Sequence, residues 1–407
     1  MEAVITGTNI LQHDLGLTAA AMSPDLAQGA NALRVEATVQ NFGSQTVEGF
    51  DITCEAPGLE PITTHFDEAL RSTESRRLTF VVRPPVYTDQ DTPWTLTLNT
   101  DDNEANNTLA ATYAFLKNVV VEEFTTEQCV NCPRVATYMH LALEAKPEYA
   151  DRVFAVCHHA GYYTDWLTQS WDEPLTWLYN EGTSLYAPAV MIDRRPEFDA
   201  QYNTGAKTPC FIPQSNVHLT ELFDYEMQQP ANAVVGLNLE FNADSSQVTA
   251  HVSLLRNQRY TAAHPRLTLY LVEDDIRAEN QIGADGVYMH QHVTRATNQT
   301  WGEPVEWTDN RFTYDYIFDL DSRWNREKMQ VVAFINNYDG EDHTAISIEN
   351  AARQSLTAGS TDGVRSVALT TQHTGLSYDL SGRRVDAASH GIRIVRRADG
   401  RIGKVVR

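Results

Sequence analysis

At 407 residues, 42% of them hydrophobic, the chain is too long for one ordinary core and apolar enough to fill several. Its net charge of −23 repels phosphate, which excludes a nucleic-acid groove or a patch for anionic membranes. No run of about 18 apolar residues predicts a membrane-spanning helix, and Met1-Glu2-Ala3-Val4 lacks the basic and apolar regions of a signal peptide, so the chain is expected to be cytosolic or to have had its signal removed.

Residues 1–116 read as short alternating strands. Residues 33–39 alternate at period two, Asn41-Phe42-Gly43-Ser44 breaks the pattern, and alternation resumes over 47–54, the grammar of a β-sandwich. The Val39-Gln40-Asn41-Phe42-Gly43 step, with the later Asn103-Glu104-Ala105-Asn106-Asn107-Thr108, resembles Ig-like domains of the CARDB type. The acidic loop from Asp101 to Glu104 offers either oxygen ligands for calcium or a solvated turn, and its spacing is not that of a calcium loop. Glycosylation-type triplets at Asn106 and Asn298 are too short to carry a role.

Residues 117–231 change character. The apolar run 118–124 predicts a strand buried on both faces. Cys129, Cys132 and Pro133 follow, and then Val135, Tyr138, Met139 and Leu143 at helical spacing, with Pro133 suited to a first turn. Residues 152–157 and 186–193 predict two more strands, and Asn216–Met227 a closing helix. Residues 232–352 return to alternation and predict a second sandwich. A Ser/Thr/Ala/Gly linker over 353–370 leads to a small β-module at 371–407. The last 42 residues hold eight Lys/Arg against three Asp, a local +5 on an acidic protein.

A CxxC pair between a buried strand and a helix has a definite chemistry. Cys129 at the helix N-terminus is favoured as thiolate by unpaired N–H groups, and Cys132, one turn later, is close enough to resolve a mixed disulfide. The region resembles the thioredoxin family in three features. That family carries a buried acid six residues before the first cysteine, which Glu123 matches, and a cis-proline before a strand, which Pro188 matches. The resemblance implies that Cys129 attacks, Cys132 resolves, Glu123 exchanges the resolving proton and Pro188 lines the peptide site. Gln128 in place of the usual Trp, and Val130-Asn131 in place of Gly-Pro, are departures that leave substrate choice open.

The Glu122-Glu123-Phe124-Thr125 and Cys129-Val130-Asn131-Cys132-Pro133 motifs, between β-rich flanks, resemble Omp28-related proteins of Bacteroidota envelopes, best over 118–195. The tail, with Ser377 to Val385, Gly391-Ile392-Arg393-Ile394-Val395 and Gly403-Lys404-Val405-Val406-Arg407, resembles the C-terminal sorting domain read by the type IX secretion machinery. That likeness implies an exported protein whose signal peptide preceded residue 1.

The fold class expected is multidomain α+β, with a thioredoxin-like α/β domain between two Ig-like sandwiches and a small C-terminal β-module. The function expected is thiol–disulfide exchange at the cell envelope, outer-membrane surface or outside. The alternatives are a non-catalytic surface protein using the fold as a scaffold, and a two-Cys plus His copper site drawing on His158 or His159. The favoured reading has no cofactor and no metal. Its partners are protein thiols or disulfides, an envelope or surface protein, and the secretion machinery, with no nucleic acid. Cys54 is expected to be a buried core thiol; Cys157 and Cys210 either bridge or stay separate, their separation not being legible in the sequence, and the aromatics Tyr162, Tyr163, Trp166, Trp171 and Trp177 are either a helical lid near Cys129 or, as such spacings more often mean, core.

Overall fold

A computed structural model describes residues 11–86, 88, 92–99, 101–179, 185–196, 198 and 208–359, together with the backbone of four short strands between 377 and 406. The chain divides into two compact units, Met1–Ser360 and Thr361–Arg407.

The first unit opens with seven strands: β1 (Leu15–Pro24), β2 (Leu33–Asn41), β3 (Phe50–Glu55), β4 (Ile62–Phe66), β5 (Ser75–Val82), β6 (Trp94–Leu98) and β7 (Thr108–Tyr113). They form one sheet in the order β4-β3-β6-β7-β1-β2-β5. Strict alternation in β2 puts Leu33, Val35, Ala37 and Val39 on one face. Residues from both halves of the sheet meet in a single core that includes Val35, Ile52, Trp94 and Leu96. The Asp101–Glu104 loop is used internally. Asp101 accepts from the Leu15 amide at 2.6 Å, and Asp102 from the Gln12 and His13 amides at 3.1 and 2.8 Å.

The expected α/β domain between two sandwiches is not what forms. β8 (Val119–Thr125), β9 (Val153–His159) and β10 (Ala189–Ile192) are followed by β11 (Ala233–Phe241), β12 (Gln247–Arg256), β13 (Pro265–Glu273), β14 (Ile276–Ala278), β15 (Tyr288–His290), β16 (Val293–Thr297), β17 (Glu303–Pro304), β18 (Arg311–Asp319), β19 (Met329–Asn337) and β20 (Ile348–Ser355). One eight-stranded sheet runs β10-β8-β9-β16-β13-β19-β20, with β17 on β13. The joint is β9 to β16, a parallel contact at Cys157 and Val293. The unit is therefore mostly β, and the thioredoxin-like assignment is corrected: strands 119–192 belong to the same sheet as the following sandwich. The physical reason is that β9 offers an open edge, and β16 satisfies it.

The second sandwich shares this sheet as one layer. Its other layer is β11-β12-β18, and Val235, Val252, Leu269 and Val331 meet between them. At the other end, helices α1 (Cys132–Leu143), α2 (Tyr149–Arg152), α3 (Asp172–Leu175) and α4 (Asn216–Met227) accompany the strands. Val135 and Met139 of α1 and Leu219 and Phe223 of α4 cover Val119, Val121, Val153 and Ala155. Residues 353–359, expected in the linker, instead finish β20 and a short 3-10 turn, and 361–370 lie outside the described residues. The second unit has a four-stranded sheet with Ser377–Tyr378 between Arg384–Val385 and Ile392–Arg396, and Ile402–Val406 at the edge.

Candidate functional site

All seven residues of β8 are buried, two glutamates among them. Period two sends them to opposite faces. Val119 and Val121 face the helices, and Glu123 continues that face toward the strand end from which the chain leaves for Cys129. Glu122 faces the other way and receives Arg194 as a fork, Nε to Oε2 at 2.6 Å and Nη2 to Oε1 at 2.7 Å. Burial opposes its charge, but Arg194 and His158 together bring its pKa down to about 2. His158 lies between Glu122 at 3.2 Å and Asp172 at 3.1 Å. Beside this network, Lys117 reaches Asp193 at 2.9 Å, both buried.

Cys129 and Cys132 are joined as a disulfide with Cα atoms 5.4 Å apart. Cys132 opens α1 and Pro133 occupies its first turn. The Cys132 amide donates to Cys129 Sγ at 3.1 Å, so a free helix N–H already faces the first sulfur. Both sulfurs are covered, with residue exposures of 3% for Cys129 and 1% for Cys132.

Glu123 is buried and its Oε1 has no hydrogen-bond partner. Desolvation raises its carboxyl to about 8, opposed only by the Cys157 thiol, which donates to Oε2 at 3.7 Å. Cys157 stands directly opposite in the β8–β9 register, and burial together with Glu123 raises its own pKa well above the ordinary value. Pro188 is buried, its peptide with Ala187 is cis, and Ala189 pairs with Phe124. The proline thus sits at the end of the sheet from which the Cys129 loop departs.

The Cys157–Cys210 bridge is absent, because each is a separate buried thiol. Cys210 packs with Phe124, Leu178 and Tyr179 instead. Cys54 is a buried core thiol raised by desolvation to about 12. Neither histidine of the copper alternative turns to the disulfide: His158 is held as above, and His159 Nδ1 meets Asp165 at 2.7 Å. No group of three or more His, Cys, Asp or Glu among the described residues is arranged to hold a metal ion. The aromatic segment is a loop of turns and bends over residues 161–170 and becomes helical only at α3 and the 3-10 turn Thr176–Tyr179 that follows. Trp171 and Trp177 pack into the core, whereas Tyr162, Tyr163 and Trp166 are exposed. Its Asp165 accepts from the Glu127 amide at 2.7 Å, which ties this loop to the start of the cysteine loop.

Sequence reasoning missed the segment that holds the backbone of the cysteine loop. Between β14 and β15, Ile282 N donates to Glu127 O at 2.9 Å. Gln281 Nε2 donates to Cys129 O at 3.1 Å and Thr126 O at 3.4 Å. Gly283 lies so close to Val130 that a Cβ there would stand 2.2 Å from its carbonyl oxygen. Gly283 and Gly286 mark a turn in the sequence, but nothing local says where that turn lands.

Residues 181–358 match the family described as outer membrane protein Omp28. The matched stretch begins after the cysteine pair, so the likeness expected to be best over 118–195 is carried mainly by the region beyond it. Among solved structures, HBP35 of Porphyromonas gingivalis is 21% identical, covering 72% of this chain and 98% of its own, with a TM-score of 0.50. A domain of the outer membrane lipoprotein Omp28 from Porphyromonas gingivalis is 18% identical over 30% of this chain and 94% of its own, TM-score 0.22. A CARDB domain from Pyrococcus furiosus is 18% identical over 26% and 99%, TM-score 0.19. No curated protein matches the sequence. The likeness to HBP35 is one of fold. The family match puts the chain in the cell envelope, at the outer membrane surface.

Proposed function

We propose that this Omp28-related protein of the Bacteroidota outer-membrane surface carries out thiol–disulfide exchange through Cys129 and Cys132. The observation that carries the reading is the disulfide at the start of α1, with an amide directed at Cys129 Sγ and a buried, raised carboxyl near the end of the strand that leads into the cysteine loop. A partner thiolate attacks Cys129 Sγ, the Cys129–Cys132 bond breaks, and its electron pair leaves on Cys132 Sγ. Glu123, protonated at neutral pH, supplies the proton that Cys132 takes. A second partner thiol then attacks the partner's own sulfur in the mixed disulfide, releasing Cys129 thiolate. Two electrons have moved from partner to protein, which leaves the partner's two thiols oxidised to a disulfide, and the reverse sequence reduces a partner disulfide. Pro188 shapes the ground beside the pair where the partner chain lies.

Cys132→Ala removes the resolving sulfur and tests the reading. It should leave Cys129 joined to partner proteins as mixed disulfides that survive non-reducing electrophoresis and collapse on reduction. Residues 366–407 serve as the sorting signal for type IX secretion, so their removal should abolish surface delivery in the native host.

One observation favours a second reading, a surface protein in which the pair is structural. The disulfide is almost wholly buried, and a static bridge needs no access. Absence of any trapped species with Cys132→Ala, together with a Cys129–Cys132 reduction potential below about −300 mV, would decide for it.

A further inference from the structure

We infer that residues Gln281–Gly283 form a flap that determines which thiols reach Cys129, favouring extended polypeptides over small-molecule thiols. The inference rests on the exchange reading above and concerns the same site.

The flap is the tip of the β14–β15 hairpin, whose strands are three residues each. Its hold on the cysteine loop is polar and main-chain. Glu127 O accepts from Ile282 N, while Cys129 O and Thr126 O accept from the Gln281 side-chain amide. Packing adds close approach at one point, where Gly283 adopts φ +84° against Val130. Ile282 and Val130 themselves remain exposed, so the flap holds the backbone of the loop that carries the buried cysteines without inserting an apolar plug of its own. Such a hold gives way when its few hydrogen bonds are replaced.

What replaces them defines the partner. Lifting the flap strips Glu127 O and Cys129 O of their donors, and an unpaired carbonyl away from water is costly. An extended polypeptide carries N–H groups along its backbone and can donate to both carbonyls while its cysteine faces Cys129 Sγ. Dithiothreitol has two hydroxyl donors but only a four-carbon chain, without the spaced N–H groups of an extended backbone that meet carbonyls two residues apart. The flap therefore slows the small thiol more than the peptide. The chemistry balances in both cases: the first thiolate bonds to Cys129 Sγ, Cys132 leaves as thiolate and is protonated, and a second thiol, intramolecular for dithiothreitol and from another molecule for a single-cysteine peptide, completes the two-electron reduction.

The test measures the reduction rate of the Cys129–Cys132 disulfide in the full chain by dithiothreitol and by an unstructured ten-residue peptide with one cysteine. Gln281→Ala removes the amide bonds, and Gly283→Val drives the flap off Val130 through its Cβ. Each should accelerate dithiothreitol about tenfold, the factor matching the loss of one or two net hydrogen bonds, and change the peptide rate by less than about threefold. Circular dichroism and the melting curve identify a variant that has lost its fold, in which case the Gln281→Ala result alone decides. Unchanged rates with both thiols, or equal acceleration of both, overturn the flap's selectivity. Neither result touches the exchange reading, which stands or falls on trapping by Cys132→Ala.

Discussion

The carboxyl of Glu123 makes a pH-dependent contribution to stability that Glu123→Gln should erase. The side chain is 2% exposed, one oxygen lacks a partner, and desolvation moves its pKa from 4.5 to about 8. An acid whose folded pKa is raised favours the folded state most fully below about pH 4.5, where the unfolded side chain is protonated too. Between that pH and about 8 the unfolded chain has released a proton that the folded one keeps, so stability declines by about 1.4 kcal/mol per pH unit. The accumulated cost is on the order of 3 kcal/mol at pH 7 and on the order of 5 above pH 8. Glutamine has nearly the same shape, stays neutral and can still accept from Cys157. Urea unfolding of the oxidised protein at half-unit steps from pH 5 to 9 should give two curves that nearly coincide at pH 5 and diverge steadily, the variant ending more stable. Other titrating groups contribute equally to both and cancel in the difference. Parallel curves over that whole range would refute the raised carboxyl, and with it the proton donor proposed for Cys132. In the direction that reduces a partner disulfide, the same variant should slow resolution of the mixed disulfide by Cys132, whose proton Glu123 accepts, while leaving the first attack by Cys129 on the partner intact.

Arg194→Ala leaves Glu122 as a buried charge without its fork and should cost about 3–5 kcal/mol in urea unfolding, most of it recovered by the double change with Glu122→Gln. A single variant that unfolds like the wild type would show that the pair is not desolvated. Burial opposes a charged His158, but Asp172 and Glu122 raise its pKa, so its contribution is fully present below about pH 6.5 and fades as pH rises through the folded value; His158→Gln should flatten that part of the profile. Gly161→Ala places a Cβ 2.5 Å from Tyr179 Oη and 2.9 Å from Tyr186 O at φ +91°, and should cost about 2 kcal/mol or more, read as a lower melting temperature.

The cysteine pair, the strand before it and the helix after it are legible because they are local. Two thiols three apart, an apolar run and a proline in a first turn all fall within sixteen residues. Alternation in β2 and β12 likewise announces half-buried strands. What cannot be read is which strand accepts an open edge, since β9 meets β16 across more than a hundred residues through one pairing. That contact turns the expected α/β domain into part of a β-rich layer. Arg194 was within reach of reasoning: two adjacent glutamates in a run buried on both faces require a counter-charge for at least one of them. Which one receives it depends on the position of residues 193–195, and no spacing rule supplies that.

The continuous sheet also bears on how such a protein can be inherited in pieces. A segment spanning 181–358 keeps β10 and β16 but lacks β8 and β9, the two strands that lie between them. Cut out alone, it would present two bare edges and the apolar underside of its helix, a template for pairing with other chains rather than a folded module. Any lineage that transmits this segment must therefore transmit two strands to fill the gap. The cysteine loop hangs from the end of the first of those strands, so recombination cannot separate the pair's support from the surface domain without unmaking both.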